Sequence, residues 1–252
     1  MRYNIAYSCI SHIGRIRKMN QDNFICNGRY LSDGKEDIRF PLNGKVPCAA
    51  SVLFGVFDGM GGEECGEIAS FLAAKKAAEL KITKNGVSDM SMYCADANAV
   101  ICDYTVRNNL TSMGTTAAML LFNKKDIILC NIGDSKIIRF SEGEALQISK
   151  DHVAAPVFGG KPPLSQNLGI PENEMTIEPY ISKGTYKNGD RYLICSDGLT
   201  DMVSPDEIQR IIESNDISTA TKILIKTALE NGGKDNITIM LFEIEKKSLF
   251  GK

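Results

Sequence analysis

Between Thr116 and Ser149 the chain passes through four short apolar runs: Thr116–Phe122, Asp126–Ile132, Lys136–Phe140 and Ala145–Ser149. Turn sequences such as Asn-Lys-Lys and Ser-Glu-Gly-Glu divide them. Runs this short, separated by turn formers, predict a meander of antiparallel strands. Met175–Ile181 and Arg191–Cys195 continue it, Arg2–Ile10, Asn23–Cys26 and Ser51–Phe57 precede it, and Asn236–Ile244 closes it. The polar stretch Gly28–Lys45 reads as turns. Helical texture flanks the strands. Gly66–Leu80 is alanine-rich, and over Asp89–Leu110 the residues Met92, Ala95, Ala99, Cys102 and Val106 recur three and four apart on one face. Ser204-Pro205-Asp206-Glu207 is a helix start, with a capping serine, proline in the first turn and glutamate completing a capping box. A further helix through Ala220, Ile223, Leu224 and Thr227 stops at Gly232-Gly233. Two helices, many strands, two more helices and a strand predict an α+β fold, a four-layer αββα sandwich of two antiparallel sheets with a helix pair outside each.

The 252 residues, 43% hydrophobic and 24% charged, suffice for one large core, so a single domain over 1–252 is expected. With 29 Lys+Arg against 31 Asp+Glu, no basic excess points to nucleic acid or a membrane surface. No run approaches the ~20 apolar residues of a membrane span. The first residues lack the apolar core of a signal peptide, so a cytoplasmic protein with reduced thiols is expected. None of the eight cysteines forms a CxxC pair, and only His12 and His152 could add imidazole, which argues against zinc.

The informative carboxylates lie at the ends of apolar runs. Asp58 follows Phe54-Gly55-Val56-Phe57, Asp134 follows Asn131-Ile132-Gly133, and Asp197 follows Leu193-Ile194-Cys195-Ser196. Asp235 precedes Asn236-Ile237, and Asp22 precedes Asn23-Phe24. Side chains at strand ends can converge on one rim of a sandwich. Such a cluster needs cations, and hard oxygen ligands suit Mg²⁺ or Mn²⁺. Two such ions could acidify a bridging water and clamp phosphoryl oxygens. Each Asp-Gly taken singly is more often an ordinary turn, so several unrelated turns remain the alternative.

These residues sit in a longer pattern: Gly14-Arg15-Ile16-Arg17-Lys18-Met19-Asn20-Gln21-Asp22-Asn23, Val56-Phe57-Asp58-Gly59-Met60-Gly61-Gly62, Gly114-Thr115-Thr116 and Asn131-Ile132-Gly133-Asp134-Ser135-Lys136. It continues with Lys150-Asp151-His152, Leu193-Ile194-Cys195-Ser196-Asp197-Gly198-Leu199-Thr200-Asp201 and Gly233-Lys234-Asp235-Asn236-Ile237-Thr238. In this order the segments resemble the metal-dependent protein phosphatase family, type 2C (PPM), in its bacterial form. The resemblance implies a serine/threonine phosphatase that reverses a kinase by direct attack of water or hydroxide bridging two Mn²⁺ or Mg²⁺ ions, without a phosphoenzyme. It implies Asp58 as the ligand shared by both ions, the Gly59 carbonyl on the second, and Asp197 and Asp235 on the first. Asp22 would act through water, Asp134 would serve a third, weaker ion shared with Asp197, and Arg17 would bind phosphate. Without the pattern, Arg17 reads as a solvated surface arginine. Phosphorylated proteins are the implied partners, and a monomer is expected.

Met60, Gln21 and Glu63 depart from residues common in the family. The stretch 153–168, with Gly159-Gly160-Lys161-Pro162-Pro163, is too short and too rich in glycine and proline for the family's helical flap. A truncated flap and a more open site are therefore expected, with Gln166 where arginine is usual. His152 is expected to be structural. Two other readings stay open: a phosphoprotein-binding module without turnover, and a hydrolase of small phosphorylated metabolites.

Overall fold

The computed structural model describes residues 3–32, 40–48, 51–60, 65–124, 126–155 and 162–247. The strands are β1 (Tyr3–His12), β2 (Asp22–Cys26), β3 (Leu42–Pro47), β4 (Val52–Met60), β5 (Gly114–Thr115), β6 (Ala117–Phe122), β7 (Ile127–Ile132), β8 (Lys136–Ser141), β9 (Glu144–Gln147), β10 (Tyr180–Gly184), β11 (Arg191–Cys195) and β12 (Ile237–Lys246). The helices are α1 (Gly66–Ala78), α2 (Gly86–Arg107), α3 (Asp197–Thr200), α4 (Pro205–Ser214) and α5 (Ile217–Glu230).

One sheet has the order β3-β1-β12-β11-β8-β9; the other runs β10-β7-β6-β4-β2, with β5 paired to β4. All pairings between these strands are antiparallel. The sheets meet through an aromatic layer of Phe24, Phe54, Phe122, Tyr192 and Phe242, in which the Phe54 and Phe242 rings lie 4.7 Å apart. Outside the second sheet, Ala69, Ala73 and Ala77 of α1 and Tyr93 and Ile101 of α2 cover Met119, Leu121 and Cys130. Outside the first sheet, Ile208, Ile211 and Ile212 of α4 and Leu224 and Ala228 of α5 cover Leu193, Ile239 and Leu241. The expected four-layer α+β sandwich is thus formed, and the alanines let α1 lie close on its sheet.

Alternation along the strands sets up everything that follows. In β4, Phe54 and Val56 face the other sheet while Leu53 and Phe57 face the helices. In β2, Phe24 and Cys26 face inward while Ile25 faces outward. Asp22 and Asp58 continue the two inward rows to one end of the sandwich.

Several local expectations need correction. β4 does not stop at Asp58-Gly59 but runs on to Met60, because Gly59 and Met60 pair with Thr115 and Gly114; Asp58-Gly59 is strand, not turn. The supposed turn stretch 28–45 contains most of β3, held by pairing to β1. Residues 175–179 are irregular, and the strand there begins at Tyr180. Helix α2 starts before Asp89, because Asn85 caps it by accepting the Ser88 N–H at 3.4 Å. Ser204 accepts the Glu207 N–H and Pro205 opens α4, as expected. The two ends of the stretch 153–168 lie side by side: Val153 bridges Leu164, Ala154 N–H donates to the Pro163 carbonyl, and Ser165 N–H donates to that of His152. Gly61, Gly62, Glu63, Gly159, Gly160 and Lys161 lie outside the described residues.

Candidate metal centre

Asp22 and Asp58 stand directly opposite each other across the β2–β4 pair. Like charges in that position repel. Asp22 is buried, and its Oδ2 accepts hydrogen bonds from Ser196 Oγ and Thr238 Oγ1, both at 2.7 Å. Those hydroxyls come from the facing sheet, so Asp22 joins the two. Its Oδ1 is buried with no partner among the described residues. Burial pushes the Asp22 carboxyl up to about 7, opposed by the two hydroxyls and helped by the charges of Asp197 and Asp235. Asp58 is also held well above the usual carboxylate range, first by desolvation and then by Asp197, Asp22, Asp134 and Asp235. Each named charge acts on Asp58 through space, so all five aspartates gather at this end of the sandwich.

Asp58 is fixed through its backbone. Its N–H donates to Thr116 Oγ1 at 3.0 Å, and its carbonyl accepts from Thr116 N–H and Thr115 Oγ1, both at 2.9 Å. Thr116 Oγ1 also lies 2.7 Å from Ser135 Oγ, which links Asp58 to the loop bearing Asp134. Gly59 sits where a side chain could not: a Cβ there would lie 2.2 Å from the Gly66 carbonyl oxygen and 2.4 Å from that of Gln21. Asp197 opens the single turn α3, just after Ser196.

Arg17 reaches the cluster from the loop between β1 and β2. Its Nη2 donates to Asp235 Oδ2 at 2.7 Å, and the charges of Asp58 and Asp197 also stabilise its cation. About half of the arginine side chain remains exposed, so this surface residue is tied to the site. Asn236 holds the loop: its Nδ2 donates to the carbonyls of Ile13 and Met19, and its Oδ1 accepts the Gln21 N–H. Asn236 thus orients the loop backbone beside Asp235. His12 Nδ1 accepts the Gly14 N–H at 2.9 Å. The His152 backbone N–H donates to the Gly133 carbonyl at 3.0 Å, and its ring Nδ1 lies 3.4 Å from the same oxygen, so both histidines brace loops.

Ser196, Thr238 and Ser135 were not singled out from the sequence as site residues. The available signal was alternation: counting in twos from Ile194, Met240 and Phe242 puts Ser196 and Thr238 on the inward face. Among the described residues no three His, Cys, Asp or Glu side chains form a ready metal shell. The donors nonetheless suit ions that keep water in their shells, because they are carboxylate oxygens, mutually repelling, with one orphaned oxygen at Asp22. Burial pushes the neighbouring Cys195 thiol up to about 12, which leaves it inert as a nucleophile. Among the described residues, no helix is long and apolar enough to cross a membrane.

The sequence profile of the family described as Protein phosphatase 2C matches residues 32–156. The serine/threonine protein phosphatase PstP of Mycobacterium tuberculosis is 30% identical over 210 residues, covering 78% of this chain and 41% of that protein. The chain therefore spans about two fifths of that relative's length. The serine/threonine phosphatase stp of Listeria innocua is 26% identical over 253 residues, covering 91% of this chain and 92% of the relative. A crystal structure of the PstP catalytic domain in complex with two manganese ions superposes with a TM-score of 0.78 at 26% identity, covering 97% of this chain and 100% of that one. Taken with the ordered motifs and the αββα sandwich, these likenesses place the protein: the chain belongs to the protein phosphatase 2C family.

Proposed function

We propose that this chain is a Mn²⁺- or Mg²⁺-dependent protein phosphatase acting on phosphoserine and phosphothreonine in proteins, the products of a serine/threonine kinase. One observation carries the reading: Asp22, Asp58, Asp134, Asp197 and Asp235 from both sheets act on one another beside Arg17. Asp58 would be shared by two ions, with the Gly59 carbonyl on the second and Asp197 and Asp235 on the first. Asp22 would serve through water and Asp134 would hold a third ion. When bound, the ions supply Lewis acidity and lower the pKa of water between them.

The chain's own residues have separate tasks. Ser196 and Thr238 hold Asp22 by Oδ2, leaving Oδ1 free to orient a water. Thr115 and Thr116 fix the Asp58 backbone, so its carboxylate needs little rearrangement. Arg17 can move from Asp235 to the phosphate, where its fork matches two oxygens and stabilises charge as the ester breaks. The buried, strongly raised Cys195 thiol supports direct hydrolysis over a cysteinyl intermediate.

The test is phosphate release from a phosphothreonine peptide and from p-nitrophenyl phosphate, with Mn²⁺, with chelator, and with Asp58→Asn. Metal-dependent turnover of the peptide, lost with chelator and reduced at least 100-fold in the variant, is expected for a ligand whose charge the chemistry requires. Undiminished turnover in Asp58→Asn would sink the site. Phosphopeptide binding without turnover would make the chain a recognition module, and activity on small phosphate esters alone would make it a metabolite hydrolase.

A further inference from the structure

Beyond Asp58, β4 ends at Met60, and there a cavity of about 320 Å³ opens between the end of α2, the α2–β5 connection and residues 167–174. Met60, Met113 and Ile170 give it apolar lining, and Thr105, Asn167 and Glu174 add polar groups. Its volume is in the range of side-chain and small-ligand pockets.

The wall opposite β4 is built and held. Leu168 and Thr115 exchange backbone hydrogen bonds of 2.9 and 3.0 Å. Buried Asn98 of α2 accepts the N–H groups of Gly169 and Ile170 at 2.7 and 3.1 Å and donates to the Ile170 carbonyl at 2.9 Å. The Glu174 N–H donates to the Pro171 carbonyl, which closes a turn that sets Glu174 at the rim. Exposed Glu172 lies on the same turn. Burial raises the thiol of Cys102, and the charges of Asp103, Glu174 and Glu172 add to the rise, so the glutamates' charges reach the end of α2. Asp103 is matched by Arg107 at 3.1 Å. Among the described residues, Glu172 and Glu174 have no ion-pair partner.

The cavity is joined to the metal centre by a single strand pair. Met60 pairs with Gly114 and Gly59 with Thr115, and the Thr115 hydroxyl donates to the Asp58 carbonyl. Met60 lies two steps along the strand from Asp58, roughly 7 Å. An extended peptide with its phosphorylated residue at the aspartates would pass a neighbouring side chain over the cavity.

We propose that this cavity is a specificity pocket for an arginine or lysine side chain carried about two or three residues from the phosphorylated serine or threonine. The lining suits such a side chain: the thioethers and Ile170 receive the aliphatic stem, and the rim carboxylate of Glu174, with Glu172 on the same turn, receives the cationic head. An acidic substrate residue there would meet like charge. The proposal rests on the phosphoprotein phosphatase reading.

The experiment uses phosphothreonine peptides identical except for Arg, Ala or Glu at each of the neighbouring positions. Both kcat/KM and equilibrium affinity, by fluorescence anisotropy, are measured for the wild type, Glu174→Gln, the Glu172→Gln/Glu174→Gln pair and Glu174→Lys. At one position the arginine peptide should exceed the alanine peptide by about fivefold, the upper end for a solvent-accessible ion pair, with the glutamate peptide below both. That ratio should fall towards one in the double variant, invert in Glu174→Lys, and shrink as salt is raised. Equal values for all three residues at every position, or an arginine preference that survives the double variant, would overturn the pocket. Hydrolysis without arginine dependence removes the pocket and keeps the phosphatase. Arginine-dependent binding without hydrolysis does the reverse. Neither binding nor hydrolysis removes both.

Discussion

Asp22 is buried opposite Asp58 and takes two hydroxyl hydrogen bonds on one oxygen and none on the other. Its carboxyl titrates at about 7 in the folded chain, against roughly 4 for an unfolded aspartate. Between those values the folded state holds a proton that the unfolded state has lost, so folding takes up a proton. Stability then falls as pH rises through that window, by linkage. Asp58 shifts in the same direction, which deepens the loss. In chelator the protein should therefore melt at a lower temperature at pH 8 than at pH 5. Asp22→Asn should narrow the difference, since an amide oxygen can still accept from Ser196 and Thr238 without a charge to bury. Thermal melts at the two pH values check this; an unchanged difference in Asp22→Asn would show that the burden lies elsewhere. The aspartates themselves were readable as chemistry only through the ordered motifs around them, since an aspartate beside glycine at the end of an apolar run is by itself more often a turn. Their hydroxyl supports were not, since Ser and Thr are common everywhere and only the strand register picks out Ser196 and Thr238.

At the scale of elements, the site depends on how closely β4 approaches the start of α1. Gly59 N–H donates to the Gln21 carbonyl at 3.1 Å, and the Gly66 carbonyl fills the space a side chain would need. Gly59→Ala should push these backbones apart and cost roughly 1–3 kcal/mol, the usual range for overpacking. It should also lower phosphatase activity, because Asp58 is the preceding residue. Urea unfolding and turnover of p-nitrophenyl phosphate measure the two effects; a variant with wild-type stability would mean the strand can shift at no cost. Gly14 plays a related part on the Arg17 loop: its φ is +84°, and a Cβ would lie 2.2 Å from the Asp235 carbonyl oxygen. On α2 the row Met92, Ala95, Ala99 and Val106 proves exposed, while Tyr93, Cys94, Ala97 and Ile101 are the buried face; the existence of the helix pairs and of the meander was nonetheless legible from periodicity and turn residues. β3 was not, because its Leu42–Pro47 sequence reads as polar turn and becomes a strand only by lying beside β1. The extension of β4 through Asp58-Gly59 was likewise hidden, because Asp-Gly is a turn signal until a partner strand supplies its hydrogen bonds.

Over the whole molecule, the same aspartates lie where the two sheets meet. Asp22 and Asp58 belong to the second sheet, Asp197 and Asp235 flank β11 and β12 of the first, and Asp134 lies on the β7–β8 connection between them. Without cations this end of the sandwich is held by the Asp22 hydroxyl bonds and the Arg17–Asp235 pair while the carboxylates repel one another. Ions bound by carboxylates from both sheets would replace repulsion with a cross-link, and the unfolded chain has no equivalent site. Mn²⁺ at 100 times its dissociation constant should then stabilise the fold by about 2.7 kcal/mol. At roughly 2–4 °C per kcal/mol for a chain of this size, the melting temperature should rise by about 5–11 °C. The gain should be larger at pH 8 than at pH 5, because protons compete for the same carboxylates below about 7. Calorimetry with and without Mn²⁺ at both pH values tests this, with Asp58→Asn as the control that should lose most of the gain. An equal rise in Asp58→Asn would mean the stabilising ions bind away from the aspartates. No rise in the wild type would mean the sheets are not joined by metal, and the reading of Asp58 as a shared ligand would fall with it.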